Sequence, residues 1–341
     1  MTIVREAPRV RVYLFTYRRN AMLPRALGSL LSQTHTDWIC ELHNDDPDDP
    51  FPGQLVARVN DPRITYVRHE RNLGPTGTFN CAFRSVREPF ISLLEDDNWW
   101  EPRMLERLLA ELSTRPEIAL AWVNSWLWRE TEEGAWERDG TIWPVDSVQS
   151  VSIFDSPHPR QACSVIHSHG AMVLRVSERT MFPCPAEMPI FAIEPVRERG
   201  YPGSLLLVRE PLANFAVTRE SWRSESADEN LQVLVLLAHT FLAGSNFTDT
   251  FHEQMWRECS GGRGHKHRAL VVAAVLTGQL RRVLRSASIR DLALVAGWAV
   301  RHPMRFGNLF KARARFPELF GFLQAAAGAR VPTAESRARL Q

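Results

Sequence analysis

The sequence LLEDDNWWEP at residues 93–102 places three consecutive acids, Glu95, Asp96 and Asp97, directly after an apolar run. Carboxylates packed at the end of a strand repel one another unless a cation or strong hydrogen-bond donors neutralise them. Two interpretations follow. The stretch is either a turn that binds a hard divalent cation at the end of a buried strand, or a solvated acidic turn in which Asn98 caps a helix.

The residues on either side alternate between strand-like and helix-like patterns. The expected strands are 10–16, 38–43, 64–68, 89–94 and 118–123, and the expected helices are 23–32, 77–86 and 102–112. Such alternation is typical of an α/β fold, a Rossmann-like and mostly parallel sheet with flanking helices. Ligands of these sheets bind at the carboxyl ends of the strands, where the turns 44–49 and 95–98 are expected.

The second half of the chain changes in character. Two more strands are expected at 171–176 and 205–208, and helical spacing dominates at 231–243, 270–284, 291–300 and 317–327. We expect a domain boundary near Trp222. It separates an α/β domain at 1–222 from a basic, mainly helical region at 223–341.

Composition restricts the class of protein. With 341 residues, 44% hydrophobic and 23% charged, the chain has the balance of a globular protein. Its five cysteines form no C-x-x-C pair, which argues against a disulfide framework or a zinc site and favours a reducing compartment. The longest apolar runs are shorter than the ~20 residues that span a bilayer. We therefore expect a cytoplasmic protein, or one bound peripherally to the inner face of the membrane.

Charge is distributed unevenly. Residues 261–341 hold fifteen Lys or Arg and three Asp or Glu, a net charge of +12, which leaves −10 for the rest of a chain whose total is +2. The arginines alternate with apolar residues at helical spacing, a pattern typical of helices on anionic membrane surfaces. The alternative is a helical region that packs on the first domain. Nucleic acid is not an expected partner, since the tail carries no recognised binding motif.

Five motifs, in order, resemble those of family 2 glycosyltransferases with the GT-A fold. The family's "PTYNR", "LxRALxSLLxQT" and "DDGSxD" correspond to FTYRRN at 15–20, LPRALGSLLSQT at 23–34 and NDDPDD at 44–49. Its "NxGxxxARN" is matched by Asn72, Gly74 and Asn80, and its "DxDDxWxPxxL" by EDDNWWEPRML at 95–105. The resemblance covers residues 9–125 well and thins out towards 222.

The resemblance implies a binding site for a nucleotide-sugar donor. The residues it places around the nucleotide are Thr16, Tyr17, Arg19, Asn72 and Gly74. Asp45 is expected to accept a hydrogen bond from N3–H of uracil or thymine, and Asp96 is counted among the donor-binding residues.

The resemblance also implies a metal site and a catalytic base. Glu95 and Asp97 are the expected acidic pair for Mg²⁺ or Mn²⁺ (the DxD motif), although Thr218 stands where many relatives have a metal-side His. An inverting transfer needs a carboxylate that deprotonates the acceptor hydroxyl. The family's "ED" pair is best matched by Glu194, with Pro195 in place of the Asp; Glu187 is the second candidate.

Taken together, the motifs predict an inverting glycosyltransferase that uses a UDP- or dTDP-sugar and a divalent cation. Its acceptor would be a saccharide, a lipid-linked or a small-molecule hydroxyl, in polysaccharide, glycolipid or glycosylated-metabolite biosynthesis. A nucleotidyltransferase ranks lower because no Gly-rich phosphate loop lies near residues 16–20. The non-enzyme alternative is a transferase-like module that binds a sugar nucleotide or a partner without turnover.

Overall fold

The computed structural model describes residues 9–84, 86–145, 149–219, 227–243, 245–259 and 264–328. The chain forms two compact units. The first comprises 1–156, 167–184 and 201–222, and the second comprises 157–166, 185–200 and 223–341. Trp222, the expected boundary residue, lies outside the described residues.

Within its described residues, the first unit forms one ten-stranded sheet. The strands are β1 (Val10–Thr16), β2 (Trp38–Asn44), β3 (Ile64–Arg68), β4 (Phe90–Glu95), β5 (Trp99–Trp100), β6 (Leu120–Glu130), β7 (Trp136–Thr141), β8 (Val151–Phe154), β9 (Met172–Arg175) and β10 (Leu205–Val217). Their order is β3-β2-β1-β4-β9-β6-β10-β5, with β7 on β6 and β8 on β10. Strands β3, β2, β1 and β4 run parallel, whereas β9 is antiparallel to both of its neighbours.

Four α-helices of the first unit connect and cover these strands: α1 (Leu23–Leu31), α2 (Phe51–Val59), α3 (Gly74–Asn80) and α4 (Met104–Thr114). Helix α1 buries Leu23, Ala26, Leu27 and Leu30, whose spacing puts them on one face. Strand β1 is buried along almost its whole length, as expected of a central parallel strand covered on both faces. The packed core therefore holds β1, β2 and β4 in place, so that the three strands end at the same edge of the sheet.

The second unit is helical in its described part. Its helices are α5 (Ile190–Gly200), α6 (Ala227–Leu242), α7 (Asp249–Glu258), α8 (His265–Leu276), α9 (Leu280–Arg285), α10 (Ile289–Arg301), α11 (Pro303–Leu309), α12 (Ala312–Arg315) and α13 (Pro317–Gly328). Buried polar groups tie α5 into this unit. Glu198 accepts hydrogen bonds from Gln161 Nε2 and Ile166 N, and Arg199 donates to the carbonyl of Leu237.

The expected α/β architecture with a C-terminal helical region is confirmed, with the refinement that only one half of the sheet is purely parallel. Across the described residues, no helix has both the length and the apolar composition needed to cross a bilayer.

Candidate active site

The acidic turns after β2 and β4 lie at one edge of the sheet because β1, β2 and β4 are parallel neighbours that end together. Thr16, at the end of β1, pairs with Asn44 of β2, and Phe15 pairs with Glu95 of β4. The backbone continues this pairing one residue further, since the amide of Asp45 donates to the Thr16 carbonyl at 3.0 Å. The amide of Asp96 likewise donates to the Phe15 carbonyl at 3.1 Å.

The loop after β1 holds the acidic turn after β4. Arg18 adopts a left-handed conformation (φ 57°) between Tyr17, whose amide donates to Asp96 Oδ2 at 3.1 Å, and Arg19. The Arg19 guanidinium is paired with the carboxylate of Asp97 and lies 3.7 Å from Oδ1 of Asp96. The Arg19 guanidinium thus lies against the buried carboxylate of Asp96 and the partly buried carboxylate of Asp97.

The charge of Arg19 does not fully offset the effect of burial on these two carboxylates. Burial, together with the charge of Asp97, raises the pKa of Asp96 to about 7, and Arg19 offsets this only in part. Burial raises the pKa of Asp97 as well, against the opposing charge of Arg19. A further cation at this turn would be stabilised by both carboxylates. The oxygen donors fit a hard divalent ion.

Glu95 is held on the other side of the turn. Asn98 Nδ2 donates to Glu95 Oε2 at 2.8 Å, and Asn98 Oδ1 accepts from the backbone amide of Ala216 at 3.0 Å. Gly170 passes so close that a Cβ placed there would lie 3.0 Å from Glu95 Oε2. A glycine at position 170 therefore leaves space for the Glu95 carboxylate. The sequence did not indicate this steric constraint.

The Asp45 carboxylate is hydrogen-bonded to groups of the protein itself. Its carboxylate accepts from the amides of Leu73 at 2.8 Å and Gly74 at 3.1 Å, and Oδ1 lies 2.9 Å from His69 Nδ1. Asn72 Oδ1 also accepts from the Gly74 amide, at 2.7 Å. Gly74, with φ +70°, begins α3 in a conformation that suits glycine. Asp45, Asn72 and Gly74 are therefore brought together as one turn.

A tryptophan surface adjoins the acidic turn and was missed from the sequence. The Arg25 guanidinium donates to the Asp97 carbonyl at 2.9 Å and lies 3.8 Å from the ring centre of Trp99. Trp128 packs on Trp99 with ring centres 5.5 Å apart. Trp128 is fixed by a hydrogen bond from its Nε1 to Asn214 Oδ1. Aromatic faces of this kind can pack on the apolar faces of sugar rings. The sequence offered only a high tryptophan count, because the pairing depends on the alignment of β5, β6 and β10.

The expected base candidates belong to the second, helical unit. Glu194 is half-buried within α5, and Glu187 is exposed before that helix. Thr218, which follows β10 in the first unit, is buried.

Residues 12–147 match the family model described as "Glycosyl transferase family 2". A protein of Escherichia coli K12 named as a colanic acid biosynthesis glycosyl transferase, WcaA, is 28% identical over 121 residues. That match covers 35% of this chain and 43% of WcaA. The E. coli protein WfgD, named as a UDP-Glc:α-D-GlcNAc-diphosphoundecaprenol β-1,3-glucosyltransferase, is 27% identical over 97 residues, 28% of this chain and 38% of WfgD. The matches thus span less than half of either relative.

Among solved structures, S. aureus TarS 1–349 in complex with UDP-GlcNAc is similar with a TM-score of 0.57 and 11% identity, over 94% of this chain and 91% of that one. At that identity the likeness shows the fold. Residues 12–147 therefore match the family 2 glycosyltransferase model, and the chain has the GT-A fold.

Proposed function

We propose that the protein transfers a sugar, with inversion, from a UDP- or dTDP-sugar to a hydroxyl acceptor. The observation that carries the proposal is the position of Asp45, Asp96 and Asp97, each of which contacts the end of β1 or the loop after it, at the carboxyl edge of the parallel strands. Ligands of open α/β sheets bind at this edge. In this assignment residues 1–222 bind the donor, and 223–341 form the helical C-terminal region.

Each group at the edge has a proposed role. Thr16, Tyr17 and Arg19 line the base, with Asn72 and Gly74 on its border. Asp45 accepts from the base N3–H while its turn contacts keep it in place. The relatives support the choice of uracil, since WfgD is named for UDP-glucose and TarS was solved with UDP-GlcNAc.

Glu95 and Asp97 would hold Mg²⁺ or Mn²⁺, with Asp96 contributing to donor binding. The high pKa of Asp96 supports a cation there, because the charge of Arg19 does not fully offset the effect of burial. When bound, such an ion neutralises the diphosphate and makes it a better leaving group.

Glu194 is the proposed general base, with Glu187 as the other candidate. Its carboxylate takes the proton of the acceptor hydroxyl as that oxygen attacks the anomeric carbon and the bond to the diphosphate oxygen breaks. We expect Glu194→Gln to lower turnover at least about 100-fold, the scale of losing a general base. Glu187→Gln is the matched comparison, and equal melting temperatures show that both variants fold.

We further propose that the acceptor is bound to a membrane. On α10, Ile289, Ala293, Ala296 and Val300 are exposed at a spacing that places them on one face. The side chains of Ile289 and Val300 are 88% and 80% exposed, and Arg290 and Arg301 flank them. An apolar stripe beside arginines fits an anionic membrane surface. WfgD is named for a diphosphoundecaprenol-linked acceptor, which supports testing a lipid-linked one here.

A melting experiment with nucleotides tests the proposal first. The chain is melted with UDP, dTDP, GDP and ADP, each with and without Mn²⁺, because a ligand of the folded state raises the melting temperature. We expect a Mn²⁺-dependent rise with UDP or dTDP that Asp97→Asn abolishes. No rise with any nucleotide would contradict the proposal. A rise without donor hydrolysis or transfer would instead favour a module that binds the sugar nucleotide without turnover.

A further inference from the structure

Three buried side chains with metal-binding atoms meet beneath the Asp45 turn. His43 lies on β2, His69 directly follows β3, and Cys81 follows α3. His43 Nδ1 is 2.9 Å from His69 Nε2, and the ligand atoms of all three residues lie within 4.8 Å of one another. The roles proposed above use none of these three side chains.

The outer nitrogens of the two imidazoles already have carboxylate partners. His69 Nδ1 is 2.9 Å from Asp45 Oδ1, and His43 Nε2 is 3.1 Å from Glu41 Oε2. Carboxylates accept hydrogen bonds, so each outer nitrogen carries a proton. In two neutral imidazoles, the nitrogens that face each other then both lack one. Two lone pairs at 2.9 Å repel, and a cation bound between the rings would remove this repulsion.

We propose that this cation is a zinc ion bound by His43, His69 and Cys81. Imidazole nitrogen and thiolate sulfur are the preferred ligands of Zn²⁺. Zinc-bound histidines almost always donate their other N–H to a carboxylate or carbonyl, which is the role that Asp45 and Glu41 would have. A tetrahedral ion with Zn–N distances of about 2.0–2.1 Å separates its two nitrogens by about 3.3 Å, so the rings need to part only slightly.

The third ligand requires a comparable change. The Cys81 thiol now donates to the carbonyl of Gly77 at 3.7 Å, a long contact that the ion would replace. The bound zinc would join the ends of β2 and β3 to the turn after α3. It would also fix the His69 ring that lies against Asp45, and so hold the Asp45 carboxylate on the Leu73 and Gly74 amides. This site is separate from the proposed Mg²⁺ or Mn²⁺ site, whose ligands are all oxygens.

Metal analysis of the full chain tests the proposal. The protein is stripped with a chelator, incubated with Zn²⁺, freed of excess metal and analysed for zinc by mass spectrometry; a parallel sample receives Co²⁺. We expect about one zinc per chain, a thiolate-to-cobalt charge-transfer band, and a higher melting temperature with zinc. Cys81→Ser should lose the band, and His69→Gln should lose at least about tenfold in zinc affinity.

Two controls make the result specific. Cys40→Ser changes another buried cysteine, on the same strand as His43, and should keep both the zinc and the band. Asp97→Asn should also keep them, which separates this site from the donor site. Native protein without retained zinc or a cobalt band would leave a proton as the shared cation and overturn the proposal. A band that survives Cys81→Ser, or that is lost equally in Cys40→Ser, would do the same.

Discussion

Arg19 is the residue on which the charge balance of the acidic turn depends. Its guanidinium pairs with Asp97, which is partly buried, and lies near Asp96, which is buried. Removing one partner of a buried pair leaves a charge uncompensated, at a cost of about 3–5 kcal/mol when both partners are fully buried. The Arg19 side chain keeps 21% of its surface exposed, so the cost here should be smaller.

We expect Arg19→Ala, without divalent metal, to lower the free energy of unfolding by roughly 1–3 kcal/mol. Mn²⁺ should then stabilise the variant more than the native protein, because the ion replaces the missing charge. Urea unfolding with and without Mn²⁺ measures both effects. Arg18→Ala is the control, since the Arg18 side chain is 66% exposed and its partner is Asp46. Equal effects of the two variants would refute this account of Arg19.

Asp96 should make stability depend on pH in an unusual direction. Its pKa is raised from 3.8 to about 7 by burial, so between these values the folded protein keeps a proton that the unfolded chain has lost. The stability that this proton confers is present at low pH and is lost as pH rises through about 7. With a chelator present, unfolding free energies between pH 4 and 7 should fall more steeply for the native protein than for Asp96→Asn. Parallel curves would show that Asp96 is ionised throughout.

Sequence reasoning reached the acidic residues and missed the buried histidines for a physical reason. Glu95 to Asp97 are adjacent in the chain, and their position after an apolar run is visible in one dimension. His43, His69 and Cys81 are far apart in sequence and meet only because β2 and β3 pair in one register, with His43 opposite Val67. The cysteine spacing argued against a zinc site for the same reason.

At the scale of elements, the periodic segments were the predictable ones. Strands β1 and β3 have the bounds expected from the sequence, whereas the expected strand 205–208 continues to Val217. Helix α2 was missed because Pro52 and Gly53 open it, although Pro is well tolerated in a first turn. The expected helix 270–284 is two helices, since Gly278 (φ +71°) separates α8 from α9.

Two glycines give opposite predictions for the same substitution. Gly203, before β10, has φ +76°, and a Cβ there would lie 2.9 Å from the backbone carbonyl oxygen of Glu117. Gly203→Ala should therefore lower the free energy of unfolding by about 1–3 kcal/mol. Gly28 lies within α1 with nothing near its Cβ position, and Gly28→Ala should raise it by roughly 0.5–1 kcal/mol. Denaturant unfolding compares the two, and a neutral Gly203→Ala would show that the turn adjusts.

At the scale of the whole molecule, the excess of positive charge in residues 261–341 predicts salt-dependent binding to anionic vesicles. Replacing both Ile289 and Val300 with Asp should abolish most flotation with such vesicles at low salt. Burying each aliphatic side chain is worth roughly 1.5–3 kcal/mol, and the new charges repel the surface. Ile153→Asp, at a 54% exposed position of the first unit, is the control. Equal flotation of native protein and the double variant would exclude α10 as the contact.

The order of the two units along the chain has a consequence for synthesis on the ribosome. The first unit ends at residue 222, yet segments 157–166 and 185–200 leave the ribosome earlier and belong to the second unit. Arg199 of α5 binds the carbonyl of Leu237, and α5 also packs against α13, near the end of the described chain. The sheet can therefore form before the segments that α5 packs against have been synthesised. A nascent chain thus exposes the buried face of α5 while much of the remaining two fifths of the protein is translated, and that interval is when chaperones would be needed.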